Sequence, residues 1–136
     1  MMPRRAEEEK TMTVMLFRLL ALALAMVIAH ETGHVVVTRL LGGRWLGVEF
    51  RGWMLGVRLS IKSFSLRQVA LTLVAGPLAE AMVVAAFALV WPVDLNWWLL
   101  ILGLQWMLNL IPWGLIPNDG TRLWRILRHH AVSTAR

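Results

Sequence analysis

Three long apolar segments limit what this chain can fold into. From them we predict transmembrane helices at about residues 11–41, 66–91 and 95–116. Each segment reaches the roughly 20 apolar residues that a helix needs to cross the hydrocarbon core of a bilayer. Glu80 is the only charge in the interior of the second segment, and the third carries no charge. We therefore expect an all-α integral membrane protein with three transmembrane helices.

The composition agrees with a membrane protein. Apolar residues make up 58% of the 136 residues, whereas ordinary soluble domains contain about 45–50%. The length suits one domain, so we predict a single membrane domain over residues 1–136. A cleaved signal peptide is the alternative for the first segment, because small residues at 21–25 resemble a cleavage site. The apolar pattern continues through Val35, Val36 and Val37, which favours a spanning helix.

The distribution of Lys and Arg predicts an orientation in the membrane. Six of these residues lie in the connection Arg39–Arg67 and four lie after the third segment, whereas the loop at 92–96 has none. Because positive loops stay in the cytoplasm, we expect the C-terminus there and the N-terminus outside. The four basic residues near the N-terminus oppose this orientation weakly. No basic face with interleaved aromatic residues lies outside the membrane segments, so nucleic acid is not an expected partner.

Two shorter patterns lie outside the spanning segments. Residues 46–62 alternate apolar and polar side chains, and the glycines in Arg51–Gly56 allow a turn, which predicts a small β-hairpin between helices 1 and 2. Residues 120–131 space three arginines three positions apart among apolar side chains. This spacing predicts an amphipathic helix on the anionic inner leaflet. His129 and His130 at its end are expected to be solvated.

Two histidines and a glutamate interrupt the first apolar segment. His30 and His34 are four residues apart, so on a helix both imidazoles face the same side and can bind one ion. Glu31, beside His30, is placed to take a proton from a metal-activated water. Without cysteine in the chain, His, Asp and Glu are the available strong ligands for Zn²⁺. The alternative is a pair of structural histidines bonded to neighbouring helices.

A catalytic zinc ion needs a third protein ligand and an open position, and four acids are candidates for that ligand. His30 lies nine residues before Arg39, about 13 Å from the cytoplasmic end of its helix at 1.5 Å per residue. Asp119 returns to that side after the third helix, and Glu80 lies at a similar depth. Asp94 is expected at the opposite face, and Glu49 in the hairpin is expected to be solvated or paired with Arg51. Asp119 is favoured, although an ordinary turn before a helix cap also explains its surroundings.

Three motifs together resemble the site-2 protease family of intramembrane zinc metalloproteases. They are HETGH at 30–34, GPLAE at 76–80 and NLIPWGLIPNDG at 109–120. The resemblance covers nearly the whole chain, as a minimal three-helix core. It implies that His30, His34 and Asp119 hold zinc, that Glu31 is the general base, and that Asn109 binds the substrate backbone or the oxyanion.

Two features of the chain differ from the usual pattern of that family. Six residues separate Pro112 from Asp119, where family members usually have about four before Asp-Gly. Glu80 stands where many members carry Asn, so it is a possible substrate contact or an alternative metal ligand.

The expected function is zinc-dependent hydrolysis of a peptide bond in or near a transmembrane segment or a membrane-associated peptide. The expected partners are such a substrate, the lipid bilayer and a regulatory protein of unknown identity, with the active site toward the cytoplasm. A non-catalytic zinc-binding scaffold with the same core is the first alternative. A small helical membrane subunit without metal is the second.

Overall fold

The computed structural model describes residues 3–51, 54–112 and 118–134 of the chain. The protein is mostly helical, and one small sheet interrupts the helices. The helices are α1 (Pro3–Leu40), α2 (Leu66–Val90), α3 (Leu95–Leu110) and α4 (Asp119–Thr134), with a short 3-10 turn at Pro92–Asp94 between α2 and α3. The strands β1 (Arg44–Arg51) and β2 (Met54–Ser60) lie between α1 and α2. The side chains of His129 and His130 lie outside the described set.

Within the described residues, two helices have the length and composition of a membrane span. These are the part of α1 from Glu7 to Leu40 and the whole of α2. Helix α3 has 16 residues, about 24 Å at 1.5 Å per residue, whereas the hydrocarbon core is about 30 Å thick. It ends before the residue 116 expected from the sequence, and residues 113–117 lie outside the described part.

Local sequence signals explain where two of these helices begin or end. Ser65 caps α2 through a capping box, in which its side chain accepts from the backbone N–H of Gln68 and the Gln68 side chain accepts from the N–H of Ser65. Gly42, with a φ of +87°, follows the end of α1, in the left-handed conformation that suits glycine. Gly43 then donates its N–H to the Thr38 carbonyl at 2.8 Å. Gly42 and Gly43 thus end α1 and lead the chain directly into β1.

The predicted β-hairpin is confirmed by the structure. β1 and β2 pair antiparallel, with Val48 opposite Val57 and Glu49 opposite Gly56. Residues 52–53, where the sequence predicted a turn, lie outside the described residues. Glu49 lies 4.0 Å from the Arg58 guanidinium on the neighbouring strand. The expected partner Arg51 has no described side chain.

The helices pack at two levels along α1. Near the α2–α3 junction, Leu22 and Met26 form a buried core with Val84 and Trp98. Nearer the hairpin, Gly33 lets α1 approach α2, since a β-carbon at Gly33 would lie 2.5 Å from the Ala75 carbonyl oxygen. The close approach puts the polar residues of α1 and α2 against each other.

Most of the remaining apolar side chains are exposed on the outside of the helices. Examples from α1 and α2 are Phe17 at 69% exposure, Met82 at 70% and Leu89 at 86%. This pattern is expected when lipid takes the place of water around the helices.

Candidate metal centre

α1 presents two buried imidazoles to the interior of the helix bundle. His30 and His34 are each only 6% exposed, and their Nε2 atoms lie 3.0 Å apart. The four-residue spacing on one helix places them one turn apart on the same face. Both rings therefore direct a nitrogen at the same point, as the sequence predicted.

α4 brings a carboxylate to that point. Asp119 is 8% exposed, and its Oδ2 lies 3.1 Å from His30 Nε2 and 3.0 Å from His34 Nε2. The two nitrogens and the oxygen thus form a nearly equilateral triangle. Tetrahedral zinc, with bonds of about 2.0–2.1 Å, would separate its ligand atoms by about 3.3 Å. The triangle is therefore the right size for three ligands of one zinc ion, and these three residues could hold a metal.

Asn118 fixes the start of α4, and the sequence analysis did not single it out. Its Nδ2 donates to the carbonyls of Leu108 and Ile111 at 2.6 and 2.7 Å. Its Oδ1 accepts from the backbone N–H of Thr121 at 2.8 Å, as a helix N-cap does. The side chain therefore ties α4 to the end of α3 and holds Asp119, the next residue, in place. Asn118 thus caps α4, and Asp119 lies in the cluster with the two histidines.

The other ring nitrogen of each histidine also has a partner. His30 Nδ1 lies at hydrogen-bond distance, 2.9 Å, from Glu80 Oε1, and His34 Nδ1 donates to the Thr72 carbonyl at 2.7 Å. Such contacts on the far side of the ring orient metal-binding histidines and set their tautomer. The role of Thr72 has no signal in the sequence, because only its backbone takes part.

Gly76 makes room for both imidazoles. A β-carbon at this position would lie 2.7 Å from His34 Nε2 and 2.8 Å from His30 Cε1. It belongs to the GPLAE motif, and Pro77 follows it inside α2. The Pro77 carbonyl accepts from Trp106 Nε1 of α3 at 3.2 Å. The motif thus contacts the two histidines through Gly76 and contacts α3 through the Pro77 carbonyl.

Glu31 and Asn109, the two residues with predicted catalytic roles, lie in different surroundings. Glu31 is half-buried and interacts electrostatically with His30, His34 and Asp119, and with the backbone amide of Val57 in β2. Asn109 lies in the last turn of α3 and is half-buried. Within the described part of the chain it makes no hydrogen bond with the cluster.

The structure gives each of the four candidate acids a different location and a different partner. Asp119 joins the histidines, and Glu80 contacts His30 from the opposite edge of its ring. Asp94 lies at the α2–α3 junction and pairs with Arg18 at 2.8 Å. Glu49 lies in β1 beside Arg58. Only Asp119 therefore faces both Nε2 atoms among the described acids.

Asp119 starts α4 and lies outside the two spanning helices. Burial raises the pKa of its carboxyl, but the hydrogen bonds with His30 and His34 outweigh burial and hold the pKa below its ordinary value. The carboxylate is therefore ionised, as a metal ligand must be.

Residues 11–132 match a protein-family model described as Peptidase M50B-like. The matched range includes all three residues of the cluster, His30 and His34 on α1 and Asp119 on α4. No curated protein matches the chain, and no solved structure does.

Proposed function

This chain belongs to the Peptidase M50B-like family, and we propose that it is a zinc-dependent intramembrane endopeptidase of the site-2 protease type. The substrate would be a peptide bond in or near a transmembrane segment or a membrane-associated peptide. One observation carries the proposal: the Nε2 atoms of His30 and His34 and the Oδ2 atom of Asp119 lie 3.0–3.1 Å from one another. Two imidazoles and one carboxylate are a donor set of catalytic zinc sites.

His30, His34 and Asp119 would hold the zinc and leave one position open. When bound, zinc supplies a Lewis acid that polarises the substrate carbonyl and makes water acidic near neutral pH. Glu31, next to His30 and facing the cluster, is the general base. It accepts one proton from the attacking water and then delivers that proton to the amide nitrogen as the C–N bond breaks. The products are a carboxylic acid and an amine.

The hairpin lies where it could present the substrate. The backbone amide of Val57 in β2 interacts with Glu31, so β2 lies beside the proposed base. A helical substrate must unwind before attack, because its amides are hydrogen-bonded internally. The unwound stretch would add as a strand to the edge of the hairpin. Asn109, half-buried at the end of α3, would bind the substrate backbone or the oxyanion.

We propose that α3 is a third crossing, with the N-terminus outside and the C-terminus in the cytoplasm. The absence of charge in α3 supports the crossing, and the arginines of α4 support the cytoplasmic end. α4 would then lie toward the inner leaflet, with Asp119 at its first position in contact with His30 and His34. In this orientation the metal centre lies toward the cytoplasmic side.

The test compares the wild type with Glu31→Gln and His34→Ala in liposomes that contain a transmembrane peptide substrate. We expect the wild type to bind zinc and to cleave. Glu31→Gln should bind zinc without cleaving, and His34→Ala should lose both properties. Cleavage by Glu31→Gln at the wild-type rate would disprove the role of Glu31. Zinc binding without cleavage by the wild type, on every transmembrane peptide tried, would identify the scaffold alternative.

A further inference from the structure

Glu80 is an acidic side chain in the interior of a helix that is long and apolar enough to span a membrane. It is fully buried, with 0% exposure. One carboxylate oxygen, Oε1, lies 2.9 Å from His30 Nδ1, and the other, Oε2, has no hydrogen-bond partner in the described part of the chain. A buried carboxylate in such a helix is costly. The contact with His30 partly offsets this cost, and we therefore asked what the contact does for His30.

The contact decides which nitrogen of His30 is available to a metal. A neutral imidazole carries one proton, and the nitrogen without it offers the lone pair. An acceptor at Nδ1 keeps the proton there, so Nε2 is left free to face Asp119 and His34. The ring is also held in one orientation, because Glu80 on α2 contacts its Nδ1 edge. His34 has an equivalent acceptor in the Thr72 carbonyl, which no side-chain substitution removes.

We propose that Glu80 is a positioning residue that holds His30 in the Nδ1–H tautomer, with Nε2 directed at the zinc. This inference rests on the proposed metal site. Glu80 acts through His30 as a hydrogen-bond acceptor and does not touch the metal. Its Oε1 contacts Nδ1, whereas the donor triangle is built on Nε2, and Glu80 is not among the atoms of the cluster.

The experiment separates hydrogen-bond acceptance from charge and from direct ligation. Glu80→Gln keeps a carbonyl oxygen that can accept from Nδ1, and Glu80→Leu keeps a similar volume without any acceptor. Met82→Leu is the matched control, because Met82 lies two residues away on the exposed face of α2. The purified full-length proteins are titrated with zinc against a chromogenic chelator. The absorption spectra of the proteins are also recorded with cobalt.

We expect Glu80→Leu to weaken zinc binding by about 10–100-fold, the usual effect of removing such a contact. Glu80→Gln should stay within a few-fold of the wild type, and Met82→Leu should be unchanged. The cobalt spectrum should change for Glu80→Leu, because His30 is no longer fixed, and should keep the wild-type form for Glu80→Gln.

Two results would overturn the inference. Equal losses in Glu80→Gln and Glu80→Leu would mean that the charge, or direct ligation, is what matters. Wild-type zinc affinity in Glu80→Leu would mean that His30 needs no acceptor. Thermal unfolding of each variant checks that it is folded. Failure of the wild type to bind zinc would instead refute the proposed function, so the two failures can be told apart.

Discussion

Gly76 in α2 lies directly against the imidazole of His34, so that a β-carbon at this glycine would sit 2.7 Å from Nε2. The nearby histidine His30 is almost as close, at 2.8 Å from the same position. Real β-carbons do not approach other atoms this closely. A side chain at Gly76 therefore has to displace both rings from the positions in which they meet Asp119.

Gly76→Ala is expected to lower zinc affinity at least 10-fold while the protein remains folded. Alanine is the better helix former by about 1 kcal/mol, so a loss of zinc binding cannot come from a weaker helix. Gly103→Ala in α3 is the matched control, since a β-carbon there meets nothing within 4 Å. Zinc titration and thermal unfolding of both variants give the comparison. Unchanged affinity in Gly76→Ala would show that the rings can move without harm.

Asn118→Ala and Asn118→Ser test how α4 is held. Serine can still cap the helix, but both variants lose the amide NH2 group that donates to the carbonyls of Leu108 and Ile111. We expect both variants to bind zinc several-fold more weakly. Only Asn118→Ala should also lose the cap, at a cost of about 1 kcal/mol. Zinc titration measures the first effect, and hydrogen exchange of the first amides of α4 measures the second. Wild-type affinity in both variants would mean that Asp119 is positioned by other contacts.

The pair of Arg18 and Asp94 is expected to stabilise the α2–α3 junction without affecting the metal site. Arg18 Nη1 lies 2.8 Å from Asp94 Oδ2, and its guanidinium also lies over the Trp91 ring. Arg18→Met leaves a largely buried carboxylate unpaired and should lower the melting temperature. The double variant Arg18→Met/Asp94→Asn should recover part of the loss. Zinc affinity should be that of the wild type throughout, because Arg18 lies twelve residues from His30.

Single cysteines can test whether α3 crosses the membrane, because the chain has no cysteine of its own. Val93→Cys lies in the α2–α3 junction, where Val93 is 86% exposed, and Arg125→Cys lies on α4. A membrane-impermeant maleimide is expected to label Val93→Cys in intact cells and Arg125→Cys only after permeabilisation. Labelling of both positions from the same side would show that α3 does not cross.

The local features of the site were predictable from the sequence, whereas the contacts between distant residues were not. The spacing of His30 and His34 is enough to place both rings on one face, since a helix repeats every 3.6 residues. The choice of Asp119 among four acids rested on topology and on the family resemblance. No periodicity relates Asp119 to a histidine 89 residues earlier.

Two other contacts illustrate what a single sequence leaves open. The contact of Glu80 with the far nitrogen of His30 depends on the distance between α1 and α2. That distance is set by Gly33 and Gly76 together. The role of Asn118 depends on where α3 stops, at Leu110, and the apolar pattern suggested a helix to residue 116. The end of a helix is hard to locate in an apolar sequence, because the residues inside the helix and those after it are equally hydrophobic.

Among the described helices, α1 carries both histidines and α4 carries the aspartate, so translation produces the histidines first. The three donor atoms of the proposed metal centre therefore come together only after α4 has been made and has docked against α1. Under the proposed function, a partly translated chain would lack a complete zinc site and could not hydrolyse its neighbours.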